Sequence, residues 1–146
     1  MPQASVRWSL RLPWSTVRTL DALVALDAPG RIGDVCGRAI SHLLAQDGQV
    51  VAALAVHVAA LRAGQPSDRT QVCSWRIDPA IVARCDAWCA SHPAVALSWL
   101  VDAAIRSYAT VCADRQAPAV AGLANRRYRR LSPALVVVLD EDAHAA

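Results

Sequence analysis

The chain of 146 residues is 55% hydrophobic with a formal net charge of +3, one domain's worth of core and too little chain for two. Its longest apolar run, residues 50–60, is broken by His57 and falls short of the roughly twenty residues that cross a bilayer. No basic segment followed by an apolar one opens the chain, and five cysteines without framework spacing read as reduced thiols. A cytoplasmic protein with no membrane span and no disulfide scaffold is expected.

Residues 6–12 alternate strictly. Arg7, Ser9 and Arg11 fall on one side and Trp8, Leu10 and Leu12 on the other, the period of two that marks a half-buried strand. Pro13, which has no N–H for a ladder, ends it. A helix follows with Val17, Leu20 and Val24 inward and Arg18 and Asp21 opposite, until Ala28-Pro29-Gly30 breaks it. A second helix opens near Gly33-Asp34 and carries the stripe Ile32, Val35, Cys36, Ala39, Ile40 and Leu43. Residues 49–62 read as a further helix, and Gly64-Gln65-Pro66-Ser67-Asp68 as a flexible joint.

Alternation then returns. Val72, Ser74 and Arg76 face out while Cys73, Trp75 and Ile77 face in. Asp78-Pro79 is a helix start, the carboxylate as N-cap and the proline at the first helical position. The helix buries Ile81, Val82, Cys85, Trp88 and Cys89 and stops at Ser91-His92-Pro93. Ser98 is the expected cap of the next helix, with the stripe Leu97, Leu100, Val101, Ala104, Ile105 and Tyr108. A loop is expected around Pro118, then the basic cluster Arg126-Arg127-Tyr128-Arg129-Arg130. A short strand over residues 135–139 and an acidic tail from Asp140 close the chain.

The same order of elements thus occurs twice. Laying Trp8 on Cys73 superposes 8–45 on 73–110 without a gap. Ser9 falls on Ser74, Arg11 on Arg76, Val17 on Val82, Asp21-Ala22 on Asp86-Ala87, Ala25 on Ala90 and Ala39-Ile40 on Ala104-Ile105. A repeated unit this small needs its neighbour to cover its apolar face. The chain divides into copy 1 (5–46), a linker with a helix (47–71), copy 2 (72–110) and a basic extension with an acidic tail (111–146), the two copies forming one folded domain.

A strand with alternate residues exposed, followed by two helices, resembles the ribbon–helix–helix family of bacterial DNA-binding proteins. The resemblance rests on Arg7-Trp8-Ser9-Leu10-Arg11-Leu12-Pro13, on Gly30 to Ile40, and on Ala96 to Tyr108 in the second copy. It implies a mainly α fold with a two-stranded antiparallel ribbon, the two tandem copies pairing within one chain as a pseudo-dimer. It also implies a ribbon that enters the major groove of double-stranded DNA with Arg7, Ser9, Arg11, Val72, Ser74 and Arg76 facing the bases. Gly33, Asp34, Ser98 and Trp99, at the second helices' N-termini, are the implied phosphate contacts. Val72 in place of an arginine leaves only contact with a thymine methyl, so the two copies are not expected to read the same half-site.

The implied roles are transcriptional repression or accessory DNA processing on a mobile element, with a relaxase or a partition ATPase as the protein partner. A plasmid-partition protein, or a protein-interaction module that kept the fold and lost DNA binding, is the alternative. All 15 basic residues are arginine, the side chain suited to bidentate contact with phosphates and guanine edges. Arg126, Arg127, Arg129 and Arg130 read as a further phosphate clamp or as a solvated charge run. Cys85, Cys89 and His92 share a helical spacing, but a fourth ligand is not evident and Leu20 and Val24, the copy 1 counterparts of the two cysteines, look like core, so no metal is expected. Trp14 and Trp99 lie outside the apolar stripes and are candidates to face a partner. No Ser–His–Asp, paired-carboxylate or phosphate-loop pattern occurs, so neither enzyme activity nor a cofactor is expected.

Overall fold

The computed structural model describes residues 4–26 and 31–122, with side chains as far as residue 113. Its elements run β1 (Val6–Pro13), α1 (Trp14–Leu26), α2 (Ile32–Leu44), α3 (Gly48–Gly64), β2 (Thr70–Ile77), α4 (Pro79–Ser91) and α5 (Leu97–Gly122). The fold is mainly helical with one two-stranded antiparallel sheet.

β1 and β2 pair so that Ser9 faces Ser74, Trp8 faces Trp75, Arg7 faces Arg76 and Arg11 faces Val72. The shift that superposes the two copies carries Ser9 onto its own partner, and it relates the Arg7–Arg76 pair to Val72–Arg11. The repeat offset and the strand register therefore share one centre, the Ser9–Ser74 pair. The inner face of the ribbon is Trp8, Leu10, Leu12, Trp75 and Ile77, all buried. The two indoles meet edge to face with centroids 6.3 Å apart, a geometry worth about 0.5–1.5 kcal/mol beyond burial.

Beneath the ribbon, α2 and α5 pack against each other. Val35, Cys36, Ala39, Ile40 and Leu43 of α2 and Leu100, Val101, Ala104 and Ile105 of α5 are buried in one cluster with the ribbon. α3 lies against α5 through Val51, Ala55 and Val58. Among the described residues no helix is long and apolar enough to cross a membrane.

Five expectations need correction. Of the residues expected to be buried by α4, Cys85 alone is; Ile81, Val82, Trp88 and Cys89 are half-buried against the core. α1 buries Thr16, Thr19, Leu20, Ala22 and Leu23, whereas Val17 and Val24 are half-buried. The helix is turned so that the Thr16 hydroxyl can donate to the buried Asp102, a contact that hydrophobic spacing does not register. The segment expected as a flexible joint is anchored, because Asp68 accepts from the Ser15 backbone N–H at 3.0 Å and from the Ser15 hydroxyl. Ser98 does not cap α5. It lies in the first turn, and the Ala96 carbonyl accepts from Trp99 and Leu100 instead. The loop expected around Pro118 is helix, since α5 runs on to Gly122. A proline removes one intrahelical bond, and the alanines around it are the strongest helix formers. The strand expected over residues 135–139 and the acidic tail lie outside the described residues.

Candidate nucleic-acid interface

The outer face of the ribbon collects the polar residues that the alternation set apart. Arg7, Ser9, Arg11, Val72, Ser74 and Arg76 are all exposed. With about 3.3 Å of rise per residue, successive outward side chains stand roughly 6.6 Å apart along each strand. Ser9 and Ser74 meet at the centre through a 2.7 Å hydrogen bond between their hydroxyls. On one side of that centre two arginines face each other, a like-charge pair that disfavours the free ribbon. On the other side Arg11 faces Val72, which is 60% exposed.

The arginines are not held alike. Arg76 donates through Nε to the Ser5 hydroxyl at 2.8 Å and through Nη2 to the Ser5 carbonyl at 2.8 Å. Arg7 and Arg11 have no such anchor among the described residues. Among the described residues, one guanidinium of the three is anchored, at the ribbon's end.

The two second-helix N-termini also differ. At α2, Gly33 sits against the backbone of β2, where a Cβ would stand 1.8 Å from the Arg76 carbonyl oxygen. Only glycine permits that approach. Asp34 is exposed beside it, and Arg31 at the N-cap position makes no side-chain capping bond. A groove of about 310 Å³ opens here between α2 and α4, lined by Gly33, Asp34, Gly37, Asp78 and Ile81 among others. At α5, Arg62 from α3 reaches the Ser98 hydroxyl and carbonyl, each at 3.4 Å. Trp99 is half-buried next to it.

No family model, no curated protein and no solved structure matches this chain. The chemistry of the site rests on its own residues.

Those residues include a network to which nothing in the apolar pattern points. Asp102 is fully buried and accepts from Arg62 Nε and Arg106 Nε at 2.8 Å each, and from the Thr16 hydroxyl. It ties α1, α3 and α5 together. Arg106 also donates to the Ser15 hydroxyl at 3.2 Å, which links the network to Asp68. The available signal was a carboxylate embedded in the stripe of α5 with an arginine four residues on. A buried carboxylate with two guanidinium partners and a hydroxyl donor is a structural joint, because its charge is neutralised and three of its four lone-pair sites are taken.

The remaining candidates are accounted for. Cys36 and Cys85 are buried, and burial, with their thiol neighbours, pushes both up to about 12. Such thiols stay protonated and are poor nucleophiles. Cys89 is raised by burial and by the nearby Asp86. His92 Nδ1 donates to the Trp88 carbonyl at 2.9 Å and its ring stacks on Trp88 at 3.9 Å. No group of three metal-ligating side chains occurs among the described residues. Trp14 is 50% exposed where β1 gives way to α1, and its backbone N–H bonds the Arg69 carbonyl. Arg126, Arg127, Arg129 and Arg130 lie outside the described residues.

Proposed function

We propose that the protein is a ribbon–helix–helix pseudo-dimer that binds double-stranded DNA selectively, with the β1–β2 ribbon in the major groove. One observation carries this reading. Six outward side chains, including three arginines, lie on a single exposed face whose centre coincides with the centre of the sequence repeat. The major groove is about 12 Å wide and admits a two-stranded ribbon. An arginine there can donate two parallel bonds to guanine O6 and N7, a serine can read either base edge, and Val72 suits a thymine methyl. The Arg7–Arg76 pair, unfavourable in the free ribbon, would be relieved by the acceptors of a guanine edge or by phosphate. Because the two sides of Ser9–Ser74 carry different residues, the preferred site would be an imperfect palindrome. Repression and accessory DNA processing on a mobile element both use such binding, the latter alongside a relaxase, as does plasmid partition alongside a partition ATPase.

A second reading is favoured by a different surface. The outer side of α3 exposes Val50, Val56 and Leu61 together with uncharged neighbours, a surface suited to a protein partner. The two readings differ in what the arginines do.

The deciding experiment enriches duplexes from a random pool and measures their binding by mobility shift. The Arg11→Ala, Arg76→Ala double variant should lose about 1–3 kcal/mol for each bidentate contact on the enriched sequence. Binding to unrelated duplex should change far less, since it rests on phosphates. A double variant that binds the enriched duplex as tightly as the parent would remove the ribbon from the interface.

A further inference from the structure

The contact between Ser5 and Arg76 divides one guanidinium into two working edges. The Nε–Nη2 edge is occupied by the hydroxyl and the carbonyl of Ser5, both at 2.8 Å. The edge formed by Nη1 and the second N–H of Nη2 is left over, and that edge offers the two parallel donors a guanine accepts. An unanchored arginine must lose rotamer freedom before it can present this edge, whereas an anchored one has already lost much of it.

Register gives the contact a counterpart to be measured against. Ser5 lies two residues before Arg7, the residue facing Arg76, and Thr70 lies two residues before Val72, the residue facing Arg11. The repeat that carries Arg11 to Arg76 also carries Ser5 to Thr70. Both positions hold a hydroxyl side chain, yet the bond is present at the Ser5 end alone among the described residues. That end also carries the like-charge pair, and fixing Arg76 to Ser5 keeps its guanidinium from competing with Arg7 for the same space.

We infer that Ser5 is a positioning residue for Arg76, aiming its free edge outward and making it the most discriminating arginine of the ribbon. The inference rests on the DNA-binding reading. Arg76 then reads one guanine sharply, while Arg11, facing Val72 without an anchor, discriminates less.

The test has one arm that needs no DNA. In the free protein, the side-chain Nε–H resonance of Arg76 should exchange with water more slowly than those of Arg7 and Arg11, and Ser5→Ala should abolish the difference. Ser5 is exposed, so the variant should keep the parent's thermal stability. In the second arm, parent, Ser5→Ala and Ser5→Thr proteins each enrich duplexes from one random pool. Ser5→Ala should lose preference at a single base pair, by about three- to tenfold, the worth of one hydrogen bond. Ser5→Thr should restore it. Replacing the guanine of that pair with 7-deazaguanine should cost the parent and leave Ser5→Ala nearly unchanged. An Arg76 Nε–H exchanging as fast as that of Arg11 would overturn the anchoring. A slow Nε–H with unchanged preference in Ser5→Ala would overturn the positioning role alone. A parent protein that enriches no sequence would overturn the DNA-binding reading, and the inference with it.

Discussion

The α1–α5 seam and the α2–α4 seam stand at positions related by the sequence repeat, and they are built from opposite materials. In the first, Thr16 meets Asp102 across a buried hydrogen bond, with Arg62 and Arg106 closing the charge. In the second, the equivalent residues are Ile81 and Gly37, where a Cβ on Gly37 would come within 3.7 Å of the Ile81 side chain. Ser98 in the first corresponds to Gly33 in the second. The polar seam is covered by α3, and the glycine seam lets α2 approach β2 and leaves a groove open. Two halves with one order of elements can thus be held by a charge network on one side and by close backbone approach on the other. The outer ribbon inherits that inequality, with an anchored arginine at one end and a valine facing an unanchored one at the other.

The comparison is broken most severely at Asp102. Replacing it with alanine leaves Arg62, 16% exposed, and Arg106 without their shared partner. Removing one member of a buried pair costs about 3–5 kcal/mol, so thermal or denaturant unfolding of Asp102→Ala should show a loss of this size. A loss below about 1 kcal/mol would place the network among surface ion pairs.

A smaller effect separates the two glycines of α2. Gly33→Ala puts a Cβ against the Arg76 carbonyl and should destabilise by about 1–3 kcal/mol or more, as overpacking against backbone does. Gly37→Ala meets only ordinary contact with Ile81 and should stabilise the helix by up to about 1 kcal/mol. Equal melting temperatures for the two variants would contradict the close approach of α2 to β2.

The smallest effect concerns the helix caps. Asp78 caps α4 locally by accepting from the Ala80 N–H at 2.9 Å. The equivalent of Asp78 in copy 1 is Pro13, which has no side-chain acceptor, and Asp68 reaches across from the linker to the Ser15 N–H, the counterpart of Ala80. Each cap should be worth about 0.5–2 kcal/mol to alanine substitution. Asp68→Ala should fall toward the upper end, since Asp68 also accepts from the Ser15 hydroxyl. Hydrogen exchange of the first turn should rise in α1 for Asp68→Ala and in α4 for Asp78→Ala, and exchange altered in the wrong helix would reject these assignments.

Much of this was legible in the chain, and the residues show why. Period-two alternation settled which side chains of residues 6–12 and 72–77 turn outward, because a strand has only two faces. The Asp78-Pro79 pair marked the start of α4, because its capping bond is local. The antiparallel pairing of the two strands was expected from the resemblance, whereas the register that sets Ser9 against its repeat equivalent Ser74 came from the fold. What the sequence could not determine depends on residues far apart in the chain. Thr16 turned inward because Asp102 lies across from it, Asp68 became a cap because Ser15 lacked one nearby, and Arg62 extends from the inner face of α3 to a buried carboxylate. The Ser5 anchor on Arg76 is of the same kind, since it exists only once the ribbon has brought the two together. Local rules act through covalent neighbours, whereas satisfying buried or crowded polar groups depends on which distant partners the fold delivers.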